Sequence, residues 1–285
     1  PTPTATPPPQ ITYTIVDTAQ NKCFTATDSI RCPASHEPFF GQDAQYQGAP
    51  PIYRRNGDGT VTDPNTGLMW QRDPGDKMTL AQALAGAEAS QLGGYDDWRL
   101  PTIKQLYSLI DFRGITGRSA PGSTPYLDTL YFAFEYGDTD AGERFIDAQF
   151  ASSTRYVSTT MNGDETVFGV NFADGRIKGY PVLNQRQGTE TTFFIRYVRG
   201  NTDYGVNNFV DNNDGTITDF ATGLIWSKTD SAQGMDWEAA LASVQQQNQQ
   251  NYLGHNDWRL PNAKELHSIL DYSRSPATTS SAAID

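Results

Sequence analysis

The segment NGDGTVTDPNTGLMWQR at residues 56–72 returns as NNDGTITDFATGLIWSK at residues 212–228. A second segment, DWRLPTIKQLYSLID at residues 97–111, returns as DWRLPNAKELHSILD at residues 257–271, at nearly the same distance along the chain. Two blocks that recur in the same order at one spacing indicate a tandem duplication. The sequence therefore predicts two copies of one folded module.

The chain divides into four parts around this duplication. Residues 1–10 are predicted to be an extended Pro/Thr spacer. Residues 11–52 are expected to form an N-terminal strand and disulfide-loop segment, residues 53–200 the first module, and residues 201–285 the second module. Few residues follow the second repeat block of the second copy, so we expect a truncated module. Either the gene continues beyond Asp285 or a neighbouring chain completes the module.

The composition indicates a folded, acidic chain. Its 285 residues are 37% hydrophobic and 12% aromatic, which suits two packed domains of ordinary size. The formal net charge is −12 at pH 7 and the pI is about 4.6. Binding to phosphates requires clustered Lys and Arg, so no nucleic-acid partner is expected. No stretch of about 18 apolar residues is present, so no transmembrane segment is expected.

The cysteines point to an oxidising compartment. Cys23 and Cys32 are the only cysteines, and they lie close together in a polar, turn-rich segment. A disulfide that closes a small loop is predicted, and two free thiols in a cytosolic protein are the alternative. Two cysteines and three scattered histidines do not supply four convergent zinc ligands. We therefore expect a secreted or cell-surface attached protein.

Local capping patterns predict two helices in each module. Thr79 and Thr102 are each followed three residues later by Gln, and Asn262 is followed in the same way by Glu. This spacing is typical of a capping box. Apolar residues recur behind each cap at helical spacing, and the first helix is predicted over residues 79–91.

The rest of each module has the pattern of antiparallel strands. Asn-Gly, Asp-Gly and Thr-Gly turns between short alternating segments predict a β-ribbon at the start of each copy. After Phe112 comes a long loop-rich excursion, and strand signals return over residues 156–199. Strands and helices are segregated along the chain, which indicates an α+β fold.

Five blocks in this order resemble the Lcl C-terminal domain family: DGTVTDPNTGLMWQ, GYDDWRLPTIKQLYSLID, YVSTT, VNFADGRI and YVRG. The resemblance covers residues 53–200 once and residues 209–285 in part. It implies tandem domains of largely unknown function in exported bacterial proteins, in a family named after a collagen-like surface adhesin. The order of elements also resembles a C-type-lectin-like module with a β-ribbon, two helices, a long loop and antiparallel strands.

One pair of positions departs from the family. Family copies often carry one Cys in the first helix and another in the closing strand, and the resemblance implies a bond between them. Ala87 and Tyr197 stand at those places here. A small residue beside a large aromatic one fills the volume of a disulfide, so we expect no cavity.

The duplicated acidic turns are candidate calcium sites. Asp58 and Asp63 lie in one D-G-T-x-T-D segment, and Asp214 and Asp219 lie in the other. An EF-hand loop needs regularly spaced oxygen ligands followed by Gly, and residues 211–215 are one residue short of that spacing. The alternative is two hairpin turns whose Asp and Thr side chains hydrogen-bond their own backbone. No other cofactor is predicted.

The recurring tryptophans and arginines are predicted to be scaffold residues. Four indoles, two in each module, are expected to be buried core anchors: Trp70, Trp98, Trp226 and Trp258. Arg99 and Arg259 are expected to pair with Asp111 and Asp271 or with backbone carbonyls, because a buried guanidinium needs a partner. The alternative is an active site, since Trp, Arg and Asp lie together twice.

The motifs of the common hydrolases are missing from the sequence. His36, His255 and His267 have no recurring partners, and there is no nucleophile elbow, zinc-protease motif or P-loop. A glycosidase-type carboxylate pair cannot be assigned from one sequence. The interpretation is a protein that is not an enzyme.

Ligand binding is expected on the late part of the first module, because loops on a rigid scaffold usually carry recognition. The candidates mix aromatic faces with hydrogen-bonding groups that suit a sugar ring or a peptide: Tyr156, Asn171, Asp174, Arg176, Lys178 and Tyr180. For each of them the alternative is an ordinary strand or turn residue. The main hypothesis is adhesion, with an extracellular glycan, matrix component or protein as partner.

The second hypothesis is a structural role through self-assembly. The helices of the second module carry an apolar face without late strands to cover it: Trp237, Leu241, Leu266 and Leu270. Exposed faces of this kind drive association. On this hypothesis the protein is a subunit of an extracellular assembly or filament, in which a neighbouring chain completes the second module.

Overall fold

A computed structural model describes residues 11–160, 163–184, 188–280 and 282–284, and the predicted spacer at residues 1–10 lies outside them. The described chain forms small antiparallel sheets and short helices, so the predicted α+β class is confirmed. The helices are α1 (Leu80–Ala89), α2 (Ile103–Tyr107), α3 (Trp237–Gln249) and α4 (Ala263–Ser268). Across the described ranges, no helix has the length and apolar character that crossing a bilayer requires.

The strands are mostly short, and the long β7 and β8 join β9 in a three-stranded sheet. In chain order they are β1 (Cys23–Phe24), β2 (Ser29–Ile30), β3 (Arg54–Arg55), β4 (Thr60–Asp63), β5 (Leu68–Gln71), β6 (Met78–Thr79), β7 (Gln149–Thr160), β8 (Asp164–Asn171), β9 (Arg176–Pro181), β10 (Leu183–Asn184), β11 (Thr189–Glu190), β12 (Thr192–Phe193), β13 (Val198–Gly200), β14 (Phe209–Asp211), β15 (Thr216–Asp219) and β16 (Leu224–Ser227).

Each module opens with the same β-ribbon. Trp70 pairs with Val61 in the first copy and Trp226 with Ile217 in the second, so the register is identical. The tight turn before β4 needs a left-handed residue, and Gly59 supplies it with φ 87°. In the first module β13 adds to the outer edge of β5, giving the order β13-β5-β4-β3. The second ribbon has the order β14-β15-β16, and within the described residues no strand pairs with the outer edge of β16.

The predicted capping boxes are confirmed. The side chains of Thr79, Thr102 and Asn262 accept a backbone N–H from the first turn of α1, α2 and α4. In each helix the Gln or Glu three residues later accepts the N–H of the cap in return. Helix α1 ends at Ala89, slightly before the predicted limit.

The core of the first module contains two of the four predicted anchors. Trp70 and Trp98 are buried, and Trp98 packs with residues of β7, β8 and the segment before β13. Trp226 and Trp258 are only half-buried. The prediction of four buried indoles is therefore wrong for the second module, because no late sheet covers that module within the described residues.

The partners of Arg99 match one of the two predicted alternatives. Its guanidinium donates to the side-chain oxygen of Gln105 at 2.7 Å. It also donates to the backbone carbonyls of Gly200 and Asn201 at 3.5 and 3.4 Å, at the end of the closing strand β13. The carbonyl alternative is confirmed for Arg99.

The predicted aspartate partners are wrong. Arg259 forms an ion pair with Glu265, the residue that closes the capping box of α4. Asp111 and Asp271 bind arginines two and three residues later in their own turns. Arg113 and Arg274 lie only two and three residues from these aspartates, so each carboxylate has its partner within its own turn.

The N-terminal segment lies against the second module. The predicted disulfide between Cys23 and Cys32 is confirmed. The predicted N-terminal strand is reduced to one bridge between Val16 and Ala49. Leu241 on α3 is 2% exposed, because the loop after the disulfide covers it. The expectation of an uncovered Leu241 is therefore wrong, whereas three residues of that face are exposed: Trp237, Leu266 and Leu270.

The two modules contact each other through equivalent residues. Lys104 on α2 donates to the backbone carbonyl of Ser268 at the end of α4, at 2.7 Å. Lys264 on α4 donates to the backbone carbonyl of Ser108 after α2, at 2.9 Å. The four residues occupy matching positions of the two copies, so the contact is reciprocal, as across a two-fold axis.

The rings of Tyr107 and His267 meet between the two lysine contacts, with centroids 4.4 Å apart. Burial lowers the pKa of His267 to about 3 and raises the pKa of Tyr107 to about 12, so both rings are neutral at neutral pH. The cavity left at this contact has a volume of only about 10 Å³. The contact is therefore packed and has no room for a ligand.

Candidate functional site

A groove with a volume of about 370 Å³ lies between helix α3 and the disulfide-containing segment at residues 23–45, hereafter the cysteine loop. Its walls combine two half-buried phenyl rings with amide and carboxyl groups. The lining residues are His36, Glu37, Pro38, Phe39, Phe40, Glu238, Ala242, Gln245, Gln246 and Gln249. Sites for small ligands are typically concave, about 300–1,000 Å³ in volume, and lined by aromatic side chains with a few polar groups.

Helix α3 supplies one wall. Glu238, Ala242, Gln245 and Gln249 recur at three- and four-residue spacing, which places them in one row along the helix. The side chain of Asp236 accepts the backbone N–H of Ala239 at 2.8 Å and determines where the helix begins. The cap therefore fixes where this row begins along the helix.

Two glutamines hold the opposite wall. The buried amide of Gln42 donates to the carbonyls of Phe24 and Phe39 at 2.8 and 2.9 Å, and its oxygen accepts the N–H of Phe24 at 2.9 Å. The amide of Gln45 donates to the carbonyl of Pro33 at 2.7 Å. These bonds and the disulfide fix the conformation of the cysteine loop.

Two residues of the loop wall have left-handed backbone conformations. His36 has φ 74° and Phe39 has φ 63°. Such conformations cost about 1–3 kcal/mol for residues other than glycine, and they persist where the surrounding structure fixes them, often at ligand sites. Phe39 also packs edge-on against Trp237, with ring centroids 5.8 Å apart. The strain therefore marks this wall as a candidate site.

The groove carries negative and neutral polar groups. Glu37 accepts the backbone N–H of Ala34 at 2.6 Å, and this bond, followed by the one from Arg31, lowers the pKa of Glu37. Glu238 adds a second carboxylate in the first turn of α3. The lining residues include no hydroxyl, thiol or amine side chain. The arrangement suits a neutral, hydroxyl-rich ligand better than an anion.

One of the predicted ligand-binding residues uses its side chain to stabilise the fold. Asn171 is buried, and its amide nitrogen donates to the carbonyl of Ile146 at 2.7 Å. Its amide oxygen accepts the N–H of Ala173 at 2.9 Å. Both ends of the amide have protein partners.

The other five predicted residues do not form one open surface. Asp174 forms an ion pair with Lys178. The hydroxyl of Tyr180 is buried without a hydrogen-bond partner among the described residues, and burial, with Asp174 nearby, raises its pKa. Tyr156 is half-buried, and Arg176 is exposed. Ligand binding in this region stays a prediction.

The exposed candidate calcium ligands cap their own turns. Asp58 accepts the N–H and hydroxyl of Thr60 at 3.0 and 2.6 Å, and Asp214 accepts the same groups of Thr216 at 2.9 and 2.6 Å. The hydroxyl bond is the main cause that lowers the pKa of each aspartate. This is the geometry of the hairpin-turn alternative.

The other two candidates are buried in the next turn of each copy. Asp63 accepts the N–H groups of Asn65 and Thr66 at 3.0 and 3.3 Å, and Asp219 accepts the N–H of Asn208 at 2.8 Å. Within the described ranges, no three acidic, His or Cys side chains converge on a position for a metal ion. Calcium binding stays a prediction.

The groove is not among the sites that the sequence predicts. The row on α3 leaves a signal in the glutamine-rich run VQQQNQQN at residues 244–251, whose amides recur at helical spacing. The facing wall comes from residues 36–40, near the other end of the chain. No local pattern joins the two walls, so only the three-dimensional structure reveals the site.

Comparison with known proteins accounts for the repeated blocks. No curated protein and no solved structure matches this chain. The profile of the Lcl C-terminal domain matches residues 59–199 and again residues 215–284. The two matches contain β4, β5, α1 and α2 of the first copy and β15, β16, α3 and α4 of the second. They cover well over half of the protein, and the chain belongs to the Lcl C-terminal domain family.

Proposed function

We propose that this chain is a non-catalytic, exported binding protein that holds a neutral saccharide in the groove between the cysteine loop and α3. The observation that carries the proposal is the pairing of Phe39 and Phe40 with a row of amides across a cavity of about 370 Å³. Aromatic faces accept the apolar side of a sugar ring, and amides and carboxylates bind its hydroxyl groups. A neutral ligand also avoids repulsion by Glu37 and Glu238.

Export is supported by the disulfide, since such bonds persist in oxidising compartments. On this proposal the protein is secreted or attached to the cell surface and acts as an adhesin towards a glycan or matrix component. The net charge of −12 argues against nucleic acid as a partner. The lectin-like order of ribbon, helices, long loop and antiparallel strands is part of the same proposal.

An array of neutral and sulfated glycans, probed with the full chain at low and moderate salt, tests this function. Binding to neutral glycans that is insensitive to salt is expected, because screening acts on charges. Phe40→Ala and Gln249→Ala should each weaken binding roughly tenfold, the equivalent of one lost contact of about 1.4 kcal/mol. Gln250→Ala, just outside the groove at the end of α3, is the matched control and should bind normally. No binding at either salt concentration contradicts the proposal.

The second candidate function is that of a subunit in an extracellular assembly. It is favoured by the outer edge of β16, which is unpaired in the described chain, whereas β13 covers the same edge of β5. Open strand edges and exposed apolar faces promote association. Sedimentation of the full chain over a range of concentrations should show oligomers that grow with concentration. A monomer throughout contradicts this candidate.

A further inference from the structure

A lysine, an asparagine and an aspartate form one line of hydrogen bonds at the contact between the modules. The ammonium group of Lys104 on α2 donates to the side-chain oxygen of Asn207 at 3.0 Å. The amide nitrogen of Asn207 donates in turn to Oδ2 of Asp219, the last residue of β15, at 2.8 Å. An amine therefore lies against the carbonyl end of an amide whose nitrogen contacts a carboxylate.

The surroundings of these three side chains leave little room for water. Asp219 is 0% exposed, and Lys104 and Asn207 are half-buried. The cavity beside Lys104 has a volume of only about 10 Å³, and Tyr13 and Tyr204 form part of its wall. Burial disfavours the charged form of an amine, and a neutral amine is a nucleophile.

The carboxylate of Asp219 is fixed by its own turn. Its Oδ1 accepts the N–H groups of Asn208 and Ala221 at 2.8 and 3.1 Å. Its Oδ2 contacts the amide nitrogen of Asn207, and the hydroxyl of Thr222 donates to the same oxygen at 2.8 Å. An acid–base group is thus positioned at the nitrogen of the amide before any reaction.

The equivalent lysine of the second module is placed differently. Lys264 donates to the backbone carbonyls of Asp17 and Ser108, both at 2.9 Å. Attack on a backbone carbonyl would break the main chain, whereas attack on the side-chain amide of Asn207 releases only ammonia. Backbone carbonyls serve the lysine in one half of the contact, so the amide and carboxylate beside Lys104 go beyond what the contact needs.

We propose that Lys104 and Asn207 form an intramolecular isopeptide bond, with Asp219 as the acid–base catalyst. Nζ of Lys104 attacks Cγ of Asn207, so that the Nζ–Cγ bond forms and the Cγ–Nδ2 bond breaks. Asp219 takes a proton from the attacking nitrogen and delivers it to Nδ2, which leaves as ammonia. An amine and an amide become a new amide and ammonia, so the reaction requires no oxidant or cofactor.

The bond closes a covalent ring over residues 104–207. The ring contains the sheet of β7, β8 and β9 and the closing strand β13. A closed loop restricts the unfolded chain, as a disulfide does. Tension on the two ends of the chain would pass through the new bond and bypass these strands. The modification does not depend on saccharide binding, so it goes beyond the proposed function.

The mass of the purified, folded full chain tests the proposal. Under denaturing conditions the intact mass should equal the sequence mass less one ammonia, and a digest should contain one branched peptide that joins Lys104 to Asn207. Lys104→Arg keeps the positive charge, but a guanidinium is not deprotonated and forms no amide, so the full sequence mass should return. Lys22→Arg, at an exposed position, is the matched control and should keep the loss of ammonia.

The branched peptide distinguishes the isopeptide bond from other losses of ammonia, such as a succinimide at Asn56. Asp219→Asn removes the group that carries the proton, so the bond should form about a hundredfold more slowly. Formation at the wild-type rate would overturn the role given to Asp219. The whole proposal is overturned if the wild-type digest contains Lys104 and Asn207 only in unlinked peptides, a result that does not depend on how any variant folds.

Discussion

Arg196 lies at the centre of the first module and forms no ion pair within the described chain. Its guanidinium donates to the backbone carbonyls of Gln71 and Ala133, each at 2.7 Å. The rings of Phe132 and Phe150 lie 5.0 and 5.4 Å from its central carbon, within the range of cation–π contacts. Burial lowers its pKa to about 9. One cation thus joins segments that are far apart in sequence.

Replacement of this guanidinium tests its role. Arg196→Lys keeps the charge, but a single ammonium cannot reach the separate carbonyls that the planar fork reaches, and buried acceptors lose their donors. We expect the free energy of unfolding to fall by about 2–4 kcal/mol in urea titrations followed by circular dichroism. Arg176→Lys, at an exposed position of strand β9, is the control and should change it by less than about 0.5 kcal/mol. An equally small change for Arg196→Lys would show that the carbonyl contacts are not needed.

Helices α2 and α4 illustrate, at the scale of elements, how a repeated segment is used twice in one contact. Burial lowers the pKa of Lys264 to about 8, although Asp111 and Asp17 favour its charged form. The pKa of a lysine in the unfolded chain is about 10.4, so the unfolded state holds this proton more tightly than the folded state. The contribution of Lys264 to stability therefore rises with pH between these two values.

Lys264→Met removes this titration and leaves the carbonyls of Ser108 and Asp17 without their donor. We expect a loss of about 1–3 kcal/mol at neutral pH. The difference from the wild type should widen between about pH 8 and about pH 10, because only the wild type gains stability there. Urea titrations across this range measure it, with exposed Lys22→Met as the control whose curve should run parallel to the wild type. A difference that is constant with pH would contradict the assignment.

The elements that could be predicted from the sequence are those that depend on interactions between residues close together in the chain. Thr79 and Thr102 begin helices because each bonds a residue three positions later, and that relation is visible in the sequence. The burial of Leu241 could not be predicted, because the loop that covers it lies about two hundred residues earlier in the chain. Arg196 leaves a faint signal, a charged residue inside the apolar run FFIRYV, but its carbonyl partners are set by the tertiary fold.

The structure around Tyr197 supports the prediction that a large aromatic residue beside a small one fills the volume of a disulfide. Its hydroxyl donates to the carbonyl of Ala83 on α1 at 3.1 Å, and the ring belongs to the same buried cluster as Ala87. A Cβ on Gly86 would lie 2.3 Å from that hydroxyl, so glycine makes the room. The aromatic ring therefore fills the space between helix and closing strand, as the pair of substitutions suggested.

At the scale of the whole molecule, the N-terminal segment connects the two modules. The N–H of Phe112 in the first module donates to the carbonyl of Thr18 at 2.9 Å, and the N–H of Thr12 donates to the carbonyl of Ala221 in the second module at 3.0 Å. Tyr13 is buried against Tyr204, with ring centroids 4.9 Å apart. The same segment then continues into the cysteine loop. The groove and the contact between modules thus depend on one stretch of chain.

Removal of the disulfide tests how far this segment depends on its covalent loop. Combined Cys23→Ser and Cys32→Ser should lower stability by about 2–4 kcal/mol, because a closed loop restricts the unfolded chain. Thermal unfolding and saccharide binding measure the effect, and we expect groove binding to be lost before the modules unfold. The control is reductant, which should reproduce the loss in the wild type and leave the double variant unchanged. Normal binding by the double variant would contradict a disulfide-supported groove.

The exchange of Lys104 and Lys264 between the copies implies a history for the gene. Each module supplies the same two groups, a lysine ammonium and the backbone carbonyl of a serine. A single-module ancestor would therefore have carried every group that this contact requires. Such an ancestor would have formed a homodimer, and in-frame doubling of its gene would have made the partnership permanent.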